Sequence, residues 1–434
     1  MTIKRIQLGL IHVAVAITLV PINSTLNRIM INELAISALL VAILASLPYL
    51  FSPIQVAIGS FSDRHPIFGW KRTPYIAAGL LLCVIGVIAA PYIAFLIASQ
   101  PVLGIISGVF AFGAWGMGYN LASVSYFSLA TEISGKNGRS RTIAVMFFMM
   151  ILGIIFTSMI LGQLLETYSP EQLNFSFLLV GVAALIFGIS GLVKLEPKQT
   201  SQEIDQAQGG ENYTWGQMVK TITENKQATR FFFYLILLLT AILGQDILLE
   251  PYGAKAFGLS VQATTQITSI WGVFFLISLS LGAGLEKRIP KIVQARVGAW
   301  TGIFAFALII FSSYLSSLVI FYAGVILLGF ATGLATVSNL ALMLDMTSVG
   351  SVGLFIGAWG MASALARLTG NMLSGTVNAL ANNSVFGYVI VFSLEISILL
   401  ISLSILRQVD VSLFQTKAEQ NLPFIERAVI ANEG

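Results

Sequence analysis

Two carboxylates stand one helical turn apart inside an otherwise apolar segment of the chain. Asp246 and Glu250 lie in "GQDILLEPYGAK", residues 244–255, after a run of aliphatic and aromatic side chains. On a helix, their i, i+4 spacing places both side chains on one face. Two like charges this close repel, so at least one of them needs a proton or a cationic partner. Such a pair is what a proton- or ion-coupled carrier would require.

A proline and a glycine follow the two acids. Pro251 removes a backbone donor and disfavours helical geometry at Glu250, and Gly253 loosens the next turn. We therefore expect the helix to end or break here. The freed carbonyls must then face a cavity or other protein rather than lipid.

A second polar group stands near the end of the first apolar segment, in "NSTLNRIMINEL". A shift of 223 positions aligns Asn23 with Asp246 and Asn27 with Glu250. Arg28 is the natural partner for one of the two acids, and we predict this pairing. The alternative is that the whole cluster lies at the outer surface as ordinary loop charges.

Other candidates stand in glycine-rich segments that are suited to close helix packing. Arg367 is a lone cation among small residues, and a charge inside an apolar helix needs a partner or water. The tryptophans of three segments could line the same cavity, or they could simply lie at helix interfaces. The full set of candidate cavity residues is Asn27, Arg28, Glu33, Asp246, Glu250, Tyr252, Trp115, Trp271, Trp359 and Arg367.

The composition identifies the setting of these residues. Of 434 residues, 56% are apolar and only 10% are charged, whereas soluble domains are about a quarter charged. Apolar runs of about 20 residues, long enough to span a bilayer, recur along the chain. The sequence predicts an all-α polytopic membrane protein. It contains one cysteine and no phosphate-binding loop, dinucleotide fingerprint or metal-ligand cluster, so we expect neither an enzyme nor a nucleic-acid partner.

Apolar runs between polar breaks predict twelve spans in two groups of six. The expected spans are 6–29, 34–60, 73–97, 101–129, 141–165, 173–194, 229–253, 262–284, 292–315, 317–344, 352–379 and 384–406. They divide the chain into an N-terminal half (1–195), a linker (196–228), a C-terminal half (229–407) and a tail (408–434). The linker is expected to carry a short amphipathic helix around Trp215.

The distribution of cations predicts the orientation. With both termini in the cytoplasm, 20 of the 23 Lys and Arg residues fall on the cytoplasmic side. The exceptions are Arg28, Lys255 and Arg367. The positive-inside rule therefore favours cytoplasmic termini.

The two halves share a loop motif after their second helix. "GSFSDRHP" has Gly59, Asp63 and Arg64, and "GAGLEKRIP" has Gly282, Glu286 and Lys287 at the same spacing. The first loop continues to Lys71 and Arg72, and it resembles the loop motif of the major facilitator superfamily, with His65 to Phe68 inserted. The resemblance implies two six-helix halves whose ends are latched by these charges. The alternative is that the cations only anchor topology.

Four stretches resemble the PucC family, the bacteriochlorophyll-delivery branch of that superfamily. They are "QDILLEPYGAKAFGLSVQATTQITSIWG" at 245–272, residues 25–50, "GWKRTPYI" at 69–76, and parts of 328–360. The resemblance runs in register from about Thr25 to Arg407. Residues shared with the family are Asn27, Arg28, Glu33, Asp63, Asp246, Glu250, Pro251, Tyr252, Gly253, Trp271, Gly272 and Asp345.

The family resemblance implies a factor that helps chlorophyll or bacteriochlorophyll reach light-harvesting or photosystem proteins in a photosynthetic membrane, beside pigment-synthesis enzymes. A carboxylate could serve the pigment magnesium directly or through water. His12, inside the first helix, is a candidate axial ligand, although packing is the commoner role of such a residue. Two alternatives stay open: a proton-coupled transporter of a small solute that uses Asp246 or Glu250, and a scaffold that moves nothing.

Overall fold

The computed structural model describes residues 2–55, 58, 61–62, 65–198, 223, 225–285, 288–346, 352–410 and 413. The amphipathic helix expected around Trp215 and the tail beyond residue 413 lie outside this part of the chain.

The N-terminal half contains six helices, five of which begin and end close to the predicted positions. They are α1 (Thr2–Glu33), α2 (Ala38–Leu50), α3 (Thr73–Ser99), α4 (Pro101–Gly135), α5 (Arg141–Leu164) and α6 (Pro170–Leu192). Gly135, at φ 62°, marks the change of direction between α4 and α5, because a positive φ ends the helix at little cost for glycine. The second helix is shorter than expected because the chain turns at residues 51–53.

The C-terminal half repeats the pattern. Its helices are α7 (Lys226–Phe257), α8 (Val261–Leu285), α9 (Lys291–Tyr314), α10 (Leu318–Asp345), α11 (Val352–Leu380) and α12 (Val385–Leu406). By length and apolar composition, ten helices of the described chain can cross a membrane, and α2 and α11 complete the two sets of six. The arrangement is the all-α, two-half bundle of the major facilitator fold.

The halves meet along two helix pairs, α5 with α8 and α2 with α11. Within the repeat, α2 corresponds to α8 and α5 to α11, so the two contacts are symmetry mates. Small residues let the backbones approach each other: Gly162 and Gly272 lie at the first contact, and Gly375 lies against Ala38 and Ala42 at the second.

The helices run between two ends of the bundle, which we name by their charges. The Arg72 end carries the starts of α3 and α9, near Arg72 and Lys291. The Arg28 end carries the loops between α1 and α2, α7 and α8, and α11 and α12. One cavity of about 710 Å³ opens at the Arg28 end, lined by residues of all three loops.

Close packing of α7 against α11 provides a test of this fold. A Cβ added at Gly370 would lie 2.5 Å from Gly244 Cα and 2.7 Å from Thr240 O, both rigid backbone atoms. We expect Gly370→Ala to destabilise the protein by about 1–3 kcal/mol through overpacking. The measurement is thermal unfolding in detergent.

The matched control is Gly360→Ala in the same helix, where an added Cβ meets nothing within 4 Å. This variant should be neutral or slightly stabilised, because alanine favours helix over glycine. Equal midpoints for the two variants would contradict the α7–α11 packing.

Candidate functional site

The predicted break in α7 is present, but it lies before Pro251. The helix runs to Gly244, turns through residues 245–248 and resumes as Leu249–Phe257. Pro251 is therefore the third residue of a new helix, where a backbone N–H has no helical acceptor. The proline lies in the first turn of the second segment instead of ending the first segment. Asp246 therefore lies in the break and Glu250 in the helix after it.

Asp246 pairs with Arg367 of α11, with 2.7 Å between Oδ2 and Nη1. Both side chains keep about a third of their surface accessible, 30% and 31%. Gln245 Nε2 donates to the other carboxylate oxygen over 3.1 Å. The guanidinium carbon lies 5.6 Å from the ring centroid of Tyr49, which belongs to α2 of the other half. An ion pair of one half is thus covered by an aromatic face of the other.

The predicted pairing of Arg28 with an acid of α7 is wrong. Arg28 Nη1 donates to Glu33 over 2.5 Å, and Nη2 donates to Leu259 O over 3.2 Å. The reason is local: α1 contains two π-helical turns, Ile22–Leu26 and Ile29–Glu33. A π-turn brings residues five apart onto one face, and Arg28 and Glu33 have this spacing. The sequence pattern, read with α-helical periodicity, did not suggest it.

Glu250 joins the two halves through hydrogen bonds rather than through an ion pair. Its Oε1 accepts from Ser24 Oγ of α1 and, over 2.8 Å, from Thr268 Oγ1 of α8. We call these three residues the Glu250 cluster. Glu250 is 2% exposed, and its other carboxylate oxygen is buried without a hydrogen-bond partner in the described chain. Ser24 and Thr268, which the sequence analysis did not select, are hydroxyl residues one would otherwise assign to packing.

Further hydrogen bonds tie the halves around the Glu250 cluster. Asn32 Nδ2 donates to Pro251 O over 3.0 Å, and the hydroxyls of Thr25 and Thr265 lie 3.1 Å apart. Ser269 Oγ of α8 donates to Ile155 O of α5 over 3.1 Å. Asp246 and Glu250 therefore have different surroundings: one faces accessible space, and the other is part of a closure between the halves.

The cavity at the Arg28 end is lined by three charged residues that the sequence analysis named. Its wall includes Arg28, Glu33 and Lys255, with Asn32 and Asn383 beside them. Asn27 is buried and donates to Asn23 O over 2.9 Å, so it serves its own helix and not the cavity. Glu33 and Lys255 are exposed, as expected if the cluster consisted of ordinary loop charges at the surface. Arg28 is instead almost wholly buried.

Two of the aromatic candidates are packing residues. Tyr252 is fully buried, donates its hydroxyl to Ile309 O over 2.7 Å and lies among other aromatic rings of the C-terminal half. Trp115 is fully buried in the N-terminal half against Gly86 of α3. Predicting them as cavity residues was wrong, because Tyr252 packs among aromatic rings and Trp115 fills the gap beside Gly86.

Trp271 and Trp359 remain candidates. Both are partly buried, and Trp271 lies 5.2 Å from the Phe275 ring near the α5–α8 contact between the halves.

His12 is enclosed by aromatic side chains. It is 4% exposed, and its ring centroid lies 5.1 Å from Tyr126, 5.4 Å from Phe127 and 5.1 Å from Phe147. A planar macrocycle has no access to the imidazole in this conformation. The residues around His12 therefore do not fit axial ligation, and packing accounts for its position.

The loop motif is described only in part. Gly59, Asp63, Arg64, Glu286 and Lys287 lie outside the described residues. Arg72 donates to Glu132 over 2.9 Å and to Ser62 over 2.6 Å. The Glu196 carboxylate accepts from the backbone N–H groups of Lys71 and Arg72, at the N-terminus of α3, where a negative charge is favoured.

The C-terminal half has the equivalent ion pair. Lys291, the first residue of α9, bonds Asp345, at the end of α10, over 2.7 Å. Arg72 and Glu132 occupy the matching places before α3 and in α4. These pairs tie helices within one half, whereas the motif predicted a latch between the halves. Sequence reasoning missed Glu132 and Glu196, because their partners are distant along the chain.

The pair of Asp246 and Arg367 should show energetic coupling. We expect Asp246→Asn and Arg367→Gln each to lower stability by about 1–3 kcal/mol, since each leaves a partly buried ion without its partner. The double variant should lose less than the sum. Thermal unfolding of the four proteins measures the coupling.

Lys255→Gln is the matched control, because it removes an exposed cation of the same half. Its effect should stay within about 0.5 kcal/mol. Strictly additive losses for the Asp246 and Arg367 variants would show that the ion pair is not formed.

Comparison with known proteins agrees with this architecture. Residues 25–414 match the family described as PUCC protein. Protein PucC of Rhodovulum sulfidophilum is 29% identical over 381 residues, which is 86% of this chain and 84% of the relative. The Bacteriochlorophyll synthase 44.5 kDa chain of Rhodobacter capsulatus is 27% identical over 383 residues, 85% of each chain. The nucleoside transporter NupG, a solved structure, has a TM-score of 0.71 at 13% identity, over 94% of this chain and 99% of its own. The chain therefore belongs to the PUCC protein family and is built on the fold of the major facilitator transporters.

Proposed function

We propose that this protein handles chlorophyll or bacteriochlorophyll and delivers it to light-harvesting or photosystem proteins during their assembly. The observation that carries the proposal is the ion pair of Asp246 and Arg367, accessible between the halves and covered by Tyr49, in a chain of the PUCC protein family. The protein has no catalytic role in this proposal. Its fold provides a binding region inside the membrane.

The relatives supply the class of cargo. One relative is named as a bacteriochlorophyll synthase chain, and several bear the name Protein PucC. A pigment with a long hydrocarbon tail partitions into the bilayer, so a binding region between membrane helices suits it better than one facing water. This supports pigment as the cargo, in a photosynthetic membrane with both termini in the cytoplasm.

The residues between the halves match the chemistry of such a pigment. Its magnesium accepts oxygen ligands, and Asp246 could serve it directly or through a water molecule. Arg367 has five N–H donors, of which a carbonyl group at the edge of the ring could accept one. Tyr49 supplies an aromatic face, and Trp271 and Trp359 are partly buried rings available to a flat ligand.

Gentle purification from the native phototroph membrane tests the proposal. We expect stoichiometric chlorophyll-type pigment, or a pigmented light-harvesting or photosystem partner, measured by absorption and pigment extraction. Arg367→Gln should retain the fold but lower the pigment content several-fold, because it removes a donor and the counter-ion of Asp246.

Phe304→Ala is the matched control, because Phe304 is an exposed side chain of α9, 62% accessible, outside the proposed binding region. A colourless wild-type protein without pigmented partners, or equal pigment in both variants, would contradict pigment handling.

A second candidate function rests on the Glu250 cluster. A buried carboxylate that hydrogen-bonds both halves, as Glu250 does with Ser24 and Thr268, suits a carrier that couples solute movement to protons. This function predicts pH-dependent solute flux in proteoliposomes that is lost in Asp246→Asn or in Glu250→Gln, according to which acid carries the proton. A pure scaffold predicts instead that partner binding survives neutralisation of both Asp246 and Glu250.

A further inference from the structure

Glu395 is a buried acid that neither the sequence analysis nor the proposed binding region uses. It lies in the middle of α12, is 1% exposed, and shares the inward face of that helix with Phe392 and Leu399. Among the described residues, neither of its carboxylate oxygens has a hydrogen-bond partner. An acid in this position inside a membrane helix requires an explanation, because an ionised carboxylate without partners is strongly disfavoured there.

The surroundings of Glu395 contain one charged pair. Helices α7, α9 and α11 pack against α12. Asp246 of α7 and Arg367 of α11 form this pair, and each neutralises the charge of the other. The buried face of α9, around Gly302 and Phe306, carries no titratable side chain.

Glu250, the other buried acid of α7, bonds Ser24 of α1 and Thr268 of α8, and the remaining titratable groups on these buried faces are phenols. Tyr234 and Tyr252 of α7 and Tyr388 of α12 are fully buried, and the hydroxyls of Tyr234 and Tyr388 have no hydrogen-bond partner in the described chain. The amide oxygen of Gln245, beside Asp246, is also buried without a partner. No cation within this group is available to Glu395 while Arg367 bonds Asp246.

We infer that Glu395 binds a proton in this conformation, and that it releases the proton when the pair of Asp246 and Arg367 rearranges. The protonated acid is neutral, so it avoids the cost of an unpartnered buried charge. Release becomes favourable only when Arg367 can share its donors between the two acids or when water reaches Glu395.

Proton binding at Glu395 would link pH to the arrangement of the halves. Arg367 lies under Tyr49 of the N-terminal half, so its movement alters a contact between the halves. A ligand that binds one conformation better shifts the population toward it, and a proton acts in the same way. By reciprocity, a cargo that engages Arg367 changes the proton affinity of Glu395. This inference is independent of what the cargo is.

Infrared spectroscopy of the purified protein in lipid tests the protonation state. We expect the absorption band of a protonated carboxyl group at neutral pH in the wild-type protein and its loss in Glu395→Gln, which keeps the size of the side chain. Ser393→Ala, an exposed neighbour in the same helix, should keep the band. Identical carboxyl bands in the wild-type protein and Glu395→Gln would overturn the proton site.

A distance measurement tests the link to conformation. Val102 and Val319 are highly exposed, at the starts of α4 and α10, on opposite halves at the Arg28 end. Spin labels on cysteines at these positions, with the buried Cys83 replaced by alanine, report the separation of the halves. We expect the distance distribution to change as pH rises in the otherwise wild-type protein and to stay in its low-pH form in Glu395→Gln. The same pH response in both proteins would overturn the link.

Discussion

The interruption of α7 at residues 245–248 is the constraint on which the rest of the arrangement depends. A continuous helix would set Asp246 and Glu250 on one face, where their charges would repel each other in an apolar environment. The interruption gives each acid its own surroundings. Asp246 turns to Arg367 of α11, and Glu250 enters the contact with α1 and α8. Pro251 supports this geometry because it lies in the first turn of the second segment, at a position that needs no backbone donor.

The same region determines how the two halves are joined. Hydrogen bonds from Ser24, Asn32 and Ser269 cross between the halves around the Glu250 cluster. At the Arg72 end, the ion pairs of Arg72 with Glu132 and Lys291 with Asp345 each remain within one half. The bundle therefore has polar ties across the halves near Glu250 and a symmetric pair of braces within the halves at the other end.

Between these regions, the ion pair of Asp246 and Arg367 lies beside an aromatic side chain. The two side chains are partly accessible and carry opposite charges, so the pair has no net charge and can lie in the membrane interior. The Tyr49 ring of the other half adds an apolar face beside the guanidinium. A ligand that is mostly apolar with a few polar atoms suits such a surface, and the proposed pigment handling rests on this chemistry.

The sequence by itself determined the fold class, the twelve helices in two halves and the interruption near Pro251, because these depend on hydrophobic length, local backbone chemistry and repeated spacing. It also selected Asp246, Glu250 and Arg367 as polar residues that an apolar segment does not carry without a reason. Tertiary structure decided the partners. Arg28 bonds Glu33 because π-helical turns change the spacing that α-helical periodicity predicts. Arg367 bonds Asp246, and Glu250 bonds Ser24, because helices distant in sequence pack together. Only packing could also show that Trp115, Tyr252 and His12 fill the core, since burial of a side chain depends on neighbours that no local pattern records.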